Sequence, residues 1–115
     1  MPNHAAALDL AFQALADPTR RAMLERLSVG PASVSELAKP TSMSLPAVMQ
    51  HLAILEDAGL VASSKVGRVR TCQIVPLALT AAEGWINARR LEWQQRFDRL
   101  EIYLEEMKTQ GEKHE

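Results

Sequence analysis

Two helix-start signals lie close together in the middle of the chain. Ser33 and Glu36 have the spacing of a capping box, in which a serine caps a helix and a glutamate three residues later pairs back to it. Pro40 ends that helix early, and Ser44 is placed to cap the next one. Two short helices joined by a tight polar link are typical of a helix-turn-helix. The second helix of such a unit is narrow enough to enter a DNA major groove, and the first braces it.

The second of these helices is predicted to have one buried face. Val48, Leu52 and Leu55 fall at i, i+4 and i+7, and Gly59 is placed to end the helix near Ala58. This stripe turns the opposite face toward solvent, with Leu45 at the exposed start of the helix. The residues predicted to point outward are Pro46, Met49, Gln50 and Ala53.

The hydrophobic period changes after this helix. Residues 60–66 and 69–75 are β-branched, half-alternating runs around Gly67-Arg68, which predicts a β-hairpin. A hairpin beside a helix-turn-helix forms a wing that can bring cations to DNA phosphates. Residues 65–70 of the hairpin contain Lys65, Arg68 and Arg70 and no acidic residue, which gives a local charge of +3.

Helices are predicted on both sides of this unit. Residues 5–16 are rich in Ala and Leu, and Asp17-Pro18 starts a helix that should stop near Gly30-Pro31. A long C-terminal helix carries apolar residues at a 3.5-residue repeat, interrupted by Arg90. We therefore predict one mainly α-helical winged helix-turn-helix domain with a small β-hairpin. Its parts are N-terminal helices in 1–32, the helix-turn-helix in 33–58, the wing in 60–75, a dimerisation helix in 77–108 and a frayed tail in 109–115.

Composition bounds the class of protein. A chain of 115 residues suits one domain, and a net charge of −1 gives no sign of a nucleic-acid or anionic-membrane partner, so only the placement of charge is informative. Residues 101–115 carry a local charge of −3, away from the basic hairpin. The N-terminus lacks the pattern of a signal peptide, and no apolar run reaches membrane-span length, which predicts a cytosolic protein without a membrane partner.

Three segments resemble a known family. LADPTRRAMLERL, SVSELAKPTSMSLPAVMQHLAILEDAGLV and the hairpin that follows look like ArsR-type (ArsR/SmtB-like) bacterial winged-helix repressors, over roughly residues 8–75. The resemblance implies a homodimeric transcriptional repressor that reads a palindromic operator, with a terminal helix packed across the dimer. The family's base-contacting positions correspond to Leu45, Pro46, Met49 and Gln50.

The side chains at and beside these positions suggest their roles, because this chain has Leu45, Ala47 and Met49 where relatives often have Gln, Ser or Thr. Gln50 is the main polar reader, since its amide can bond adenine in a bidentate manner, and Leu45, Ala47 and Met49 are placed to touch thymine methyl groups. Arg20, in the DPTR segment, is interpreted as a structural or backbone-contact residue. Candidate phosphate contacts, besides the wing cations, are Lys39, Ser42 and Ser44, although the two N-cap serines, Ser33 and Ser44, are explained by capping alone.

Dimerisation is inferred from the apolar repeat and from the family likeness. Trp85 and Trp93 either fill a helix–helix interface, the interpretation we prefer, or line an effector pocket. Self-association with the 5–16 helix is the simplest role for the C-terminal repeat, although another protein could also occupy it. The predicted dimerisation residues are Leu8, Phe12, Leu15, Ile86, Trp93, Phe97, Leu100 and Leu104.

The sequence departs from the metal-sensing members of the family. Residues 34–39 contain no cysteine pair and 80–108 contain no histidine, so we predict no transition-metal site, no cofactor and an unknown effector. His51 is interpreted as a packed, hydrogen-bonded residue, while the other histidines lie near the two ends. Cys72, the single cysteine, is interpreted as a small strand residue, with a thiol activated by Arg70 as the alternative.

Two other function classes, and one runner-up within the DNA-binding class, are weighed against an ArsR-type repressor. The outward apolar residues Leu45 and Met49 keep open a winged-helix module that binds protein instead of DNA. A MarR-like regulator is disfavoured by the short chain, since that architecture has a longer wing. An enzyme is not supported, because the sequence has no Gly-rich phosphate loop, no nucleophile–base constellation and no metal-ligand set.

Overall fold

A computed structural model describes residues 4–113 of the protein. Two helices come first, α1 (His4–Leu15) and α2 (Pro18–Val29), followed by the short strand β1 (Ala32–Ser33). The helix-turn-helix is α3 (Val34–Ala38) and α4 (Leu45–Asp57). The wing, residues 61–74, is β2 (Val61–Val66) and β3 (Val69–Ile74), and α5 (Pro76–Lys113) closes the described chain. The predicted fold class, mainly α-helical with a small β-hairpin, is confirmed.

The helix starts follow from side-chain caps that the sequence displays. The carboxylate of Asp17 accepts a hydrogen bond from the Arg20 backbone N–H at 3.0 Å, and the Ser33 hydroxyl accepts one from Glu36 N–H at 3.1 Å. Ser44 caps α4 in the same way. Each cap satisfies a backbone donor that the first helical turn leaves unpaired. The end of α4 is set by Gly59, whose φ of +73° is the left-handed conformation that glycine adopts without strain.

The core lies where the helix-turn-helix meets the sheet. Val48, Leu52 and Leu55 of α4 are buried, as the stripe predicts, and pack in one cluster with α2, α3 and the base of the wing. The first turns of α5 pack partly buried Ala78 and Leu79 against the same cluster. The buried apolar face of α4 therefore fixes which of its side chains point outward.

The sheet has three antiparallel strands in the order β1-β3-β2. In the wing Lys65 pairs with Arg70, and Val66 pairs with Val69 across a two-residue turn whose Gly67 has φ +62°. The strand β1, which pairs Ala32 with Cys72, was not predicted. A two-residue strand shows no alternation, and its Ser33 is read from sequence only as a helix cap.

The C-terminal helix is longer than predicted. It begins at Pro76, since proline fits the first helical position, and it continues to Lys113 where a tail fraying from Thr109 was expected. Gln, Glu and Lys are good helix formers and favour the extension, while Gly111 opposes it. His114 lies outside the described residues. The chain divides into two compact units, one ending at Ala82 and the other beginning at Glu83. Across residues 4–113, every helix is too short or too polar to span a bilayer.

Candidate nucleic-acid interface

The outward face of α4 is arranged as the stripe predicts. Pro46, Met49, Gln50 and Ala53 are exposed, and Leu45 is exposed at the first turn. Ala47, also predicted to touch DNA, is half-buried and not fully exposed, because it lies at the edge of the buried stripe beside Val48. The exposed face therefore combines one amide, Gln50, with several apolar side chains.

A groove of about 640 Å³ runs between the first half of α4 and the wing. Its apolar part comes from Leu45 and Met49 of α4, Val69 of the wing and Val34 of α3. Three cations, Lys65, Arg68 and Arg70, line the wing side, and the first turn of α3 closes the end. We call this feature the α4–wing groove. It brings together residues that the sequence analysis selected separately as base-contacting and phosphate-contacting.

The three wing cations differ in what they contact. Lys65 and Arg68 are exposed near the turn. Arg70 is half-buried, and its guanidinium donates to the Ser63 hydroxyl at 3.0 Å, which in turn donates to the Glu56 carboxylate. Arg70 is therefore partly engaged within the protein, whereas Lys65 and Arg68 present their charge to solvent.

Sequence reasoning missed Glu56 and Ser63. The hydrogen-bond chain Glu56–Ser63–Arg70 joins the last turns of α4 to both strands of the wing. No local pattern reveals it, since Glu56 reads as an ordinary surface acid and Ser63 as an ordinary strand residue. Only the register that pairs Ser63 with Cys72 and Lys65 with Arg70 brings these side chains to one face of the hairpin.

The candidate phosphate donors of the helix-turn-helix link lie on its surface. Lys39, Ser42 and Ser44 are all exposed. The link itself is shaped by Thr41, whose hydroxyl donates to Ala38 C=O at 2.7 Å and accepts from Met43 N–H at 3.2 Å. Ser42 and Ser44 directly precede α4, at the end of the helix where the dipole also favours an anion, while Lys39 lies at the C-terminal end of α3.

Arg20 occupies a structural position between three helices. Its guanidinium donates to Ala14 C=O at 2.8 Å and to Gln13 C=O at 3.0 Å, at the end of α1, and contacts His51 Nδ1 of α4 at 3.2 Å. The backbone N–H of Arg20 lowers the pKa of the Asp17 carboxyl by hydrogen bonding to it, and its positive charge acts in the same direction. The partly buried His51 is thus the packed, hydrogen-bonded residue that the sequence predicts.

Cys72 is fully buried in the central strand. Burial raises the pKa of its thiol, the nearby Glu56 carboxylate adds to that effect, and Arg70 opposes it. The alternative interpretation, a thiol activated by Arg70, is therefore wrong, because the net effect disfavours the thiolate. The interpretation of Cys72 as a small strand residue agrees with its position.

The predicted dimerisation residues fall into two groups. Leu8, Phe12 and Leu15 of α1 are half-buried. Within the unit that begins at Glu83, Trp93 stands 6.1 Å from Phe97 between ring centres, and Arg96 lies over the Trp93 ring. Trp85 is exposed, and the Arg89 guanidinium lies over its ring. The apolar side chains of the repeat that remain exposed are Ile86, Trp93, Phe97, Leu100 and Leu104.

The comparisons with known proteins agree with this geometry. Residues 15–64 match the family model described as a helix-turn-helix domain. The chain is 51% identical over 73 residues to the HTH-type transcriptional regulator Rv2034 of Mycobacterium tuberculosis, an alignment that covers 64% of this chain and 68% of that protein.

Among the residues that the structure describes, no group of three or more His, Cys, Asp or Glu side chains could hold a metal ion.

Solved structures show the same fold. The crystal structure of an ArsR family transcriptional regulator superposes with a TM-score of 0.77 at 52% identity, covering 82% of this chain and 97% of the other. A homodimeric winged helix-turn-helix DNA-binding domain from Mycobacterium bovis, solved by NMR, superposes with a TM-score of 0.59 at 26% identity, covering 72% of this chain and 79% of that domain.

Proposed function

The chain belongs to the ArsR family of transcriptional regulators, whose DNA-binding element is a winged helix-turn-helix, and on that premise we propose that it is a homodimeric repressor of a palindromic operator. The observation that carries the proposal is the outward face of α4. That face is solvent-exposed and adjoins a wing whose Lys65 and Arg68 are free of carboxylate partners among the ion pairs of the described residues.

Base recognition is assigned to α4. The exposed Gln50 lies on the face opposite the buried stripe, where its amide can offer one donor and one acceptor to the edge of an adenine. Pro46 and Ala53 lie on the same face and supply shape without hydrogen bonds. Sequence preference at a single position in each half-site is therefore expected to depend on Gln50.

Phosphate contacts are assigned to the wing and to the helix-turn-helix link. Lys65 and Arg68 contribute charge without base specificity, and Lys39, Ser42 and Ser44 flank the N-terminus of α4. Each phosphate that the protein neutralises adds about 0.9 to the slope of log K against log salt concentration for duplex DNA. Arg70, held by Ser63, is expected to contribute less to this slope than Arg68 does.

Dimerisation is assigned to α1 and to the apolar repeat of the C-terminal unit. Trp93, Phe97, Leu100 and Leu104 expose between 50% and 59% of their surface, a contiguous apolar stripe that a second copy would cover. The likeness to a homodimeric DNA-binding domain supports this assignment. A two-fold dimer presents two recognition helices, which is why the operator is expected to be a palindrome.

The proposed repressor has no metal-sensing site of the kind that the family's metal-responsive members use. The sequence has one cysteine, and its thiol is buried in the core, so it is not available as an exposed ligand. The absence of histidine from residues 80–108 removes the ligands that metal-sensing relatives are expected to place there. A repressor that acts on the chromosome works in the cytoplasm, and that is where we place it.

The test is selection of bound sequences from random duplex DNA with the full chain. The expected product is a palindrome with half-sites about 34–36 Å apart, bound more weakly as salt rises. Micromolar Zn²⁺ added to the same complex is expected to leave binding unchanged, and a Zn²⁺-dependent release would refute the metal-independent assignment. Recovery of no preferred sequence, with binding insensitive to salt, would favour the alternative of a protein-binding module.

A further inference from the structure

The face of α4 that is proposed to meet base edges is unusually apolar. Leu45 and Met49 expose 52% and 42% of their surface, and both line the α4–wing groove. Val69, across the groove, exposes 54%. Hydrogen bonds to base edges cannot come from these side chains, so the amide of Gln50 is left as the main polar reader on this part of the helix.

We infer that Leu45 and Met49 recognise the C5-methyl groups of thymine, so that the operator is read by methyl contacts at least as much as by hydrogen bonds. The inference rests on the proposed DNA-binding function. In the major groove the thymine methyl is the apolar feature of the base edges. Leu45 and Met49 are one helical turn apart on one side of α4, so they can meet neighbouring base pairs.

The composition of the groove favours DNA over an apolar protein segment as its occupant. Lys65, Arg68 and Arg70 line the wing side, which suits the phosphates that flank a major groove. Glu36 is the acidic residue among those that line the groove. Its carboxylate lies 3.4 Å from the Arg26 guanidinium, and the positive charge of Arg26 offsets that of the carboxylate. The apolar side of the groove, with Leu45 and Met49, suits a base edge that carries a methyl group. The cationic wing side suits the phosphates next to that base.

The experiment compares thymine with deoxyuridine. A duplex recovered by selection is synthesised again with deoxyuridine at every thymine, or at one thymine at a time. The substitution removes the methyl group and leaves the hydrogen-bonding edge intact. Burial of one methyl-sized group is worth about 0.8 kcal/mol, which corresponds to about fourfold in affinity. We therefore expect about a fourfold loss for each contacted thymine, and a larger loss when both half-sites are substituted.

Two variants and a control assign the effect to its side chains. Leu45→Gln and Met49→Gln should each reduce the ratio of thymine to deoxyuridine affinity toward one at its own base pair. Ile54→Gln is the matched control, because Ile54 lies on the same helix, exposes 41% of its surface and is not part of the groove lining. The Ile54 variant should keep the wild-type ratio.

The outcomes separate this inference from the function on which it rests. Equal affinity for the thymine and deoxyuridine duplexes, with salt-dependent sequence preference retained, overturns methyl recognition and leaves DNA binding standing. A ratio that persists in the Leu45 and Met49 variants overturns their assignment. Failure to bind any duplex refutes the proposed function and the inference together.

Discussion

Replacing Arg20 with alanine tests whether this residue holds the fold together or contacts DNA. Its guanidinium makes two hydrogen bonds to the last carbonyls of α1, at Ala14 and Gln13, and one contact with His51 of α4. Alanine removes all three and leaves the Ala14 carbonyl without its side-chain donor, while the Gln13 carbonyl still accepts from Ala16 N–H at 3.2 Å. A hydrogen bond to a charged group contributes about 1.5–3 kcal/mol, and partial exposure together with non-additivity reduces the sum. We expect Arg20→Ala to lower the free energy of unfolding by about 2–4 kcal/mol.

The neighbouring arginine supplies a matched control. Arg21 donates one exposed hydrogen bond, to Leu15 C=O at 2.8 Å, so Arg21→Ala should cost about 1 kcal/mol or less. Urea unfolding followed by circular dichroism measures both variants, at one fixed protein concentration because a dimer links stability to concentration. With a slope of about 2 kcal/mol per molar urea, Arg20→Ala should lower the midpoint by about 1–2 M.

Two results would refute this reasoning. The first is a midpoint for Arg20→Ala no lower than that of Arg21→Ala, since the three contacts would then add nothing to stability. The second is an unchanged midpoint accompanied by a weaker salt dependence of DNA binding, which would make Arg20 a phosphate contact. Arg20→Lys is informative as well, because an ammonium group cannot reproduce the fork of donors that reaches α1 and α4 together.

Arg68→Ala and Lys65→Ala should each weaken binding to every duplex. Each should also lower the slope of log K against log salt concentration by about 0.9 for each lost phosphate contact, as measured by gel shift at several salt concentrations. An unchanged slope would mean that the wing does not contact the DNA. Gln50→Ala should relax base preference at one position in each half-site of a selected pool, and unchanged discrimination would remove Gln50 from base readout. Because the Cys72 thiol is fully buried and burial raises its pKa, iodoacetamide at pH 8 should modify it much more slowly than a free cysteine until urea unfolds the protein. A native-state rate equal to that of a free thiol, followed by mass spectrometry, would contradict its burial.

The helix-turn-helix could be predicted from sequence because its determinants are local. Ser33 and Ser44 bond backbone groups three residues away, and Gly59 follows directly from the helix that it ends. The stripe of Val48, Leu52 and Leu55 spans eight residues of one helix, so its period alone orients the outward face. Such signals need no knowledge of the rest of the fold.

The features that sequence could not show depend on residues brought together from distant segments. Arg20 and His51 are 31 positions apart, and their contact exists only once α2 and α4 pack. The chain from Glu56 through Ser63 to Arg70 requires the hairpin register and the docking of α4 on the wing. The direction of the pKa shift at Cys72 likewise depends on burial, which overrides the arginine two residues away in sequence.

The two-residue turn at Gly67-Arg68 limits how such a wing can vary in length. Val66 and Val69, which flank the turn, are paired with each other, so the hairpin has no unpaired residue next to the turn. A single inserted residue therefore has to form a bulge. Hydrogen-bonded and non-hydrogen-bonded pairs alternate along an antiparallel ladder, so the same turn and the same side-chain faces are kept only when two residues are added to each strand. Such an addition moves the turn outward by about 6.8 Å. The reach of Arg68 at the turn is therefore adjustable only in discrete steps, and related chains with a longer wing and the same turn should have four residues more, or a multiple of four.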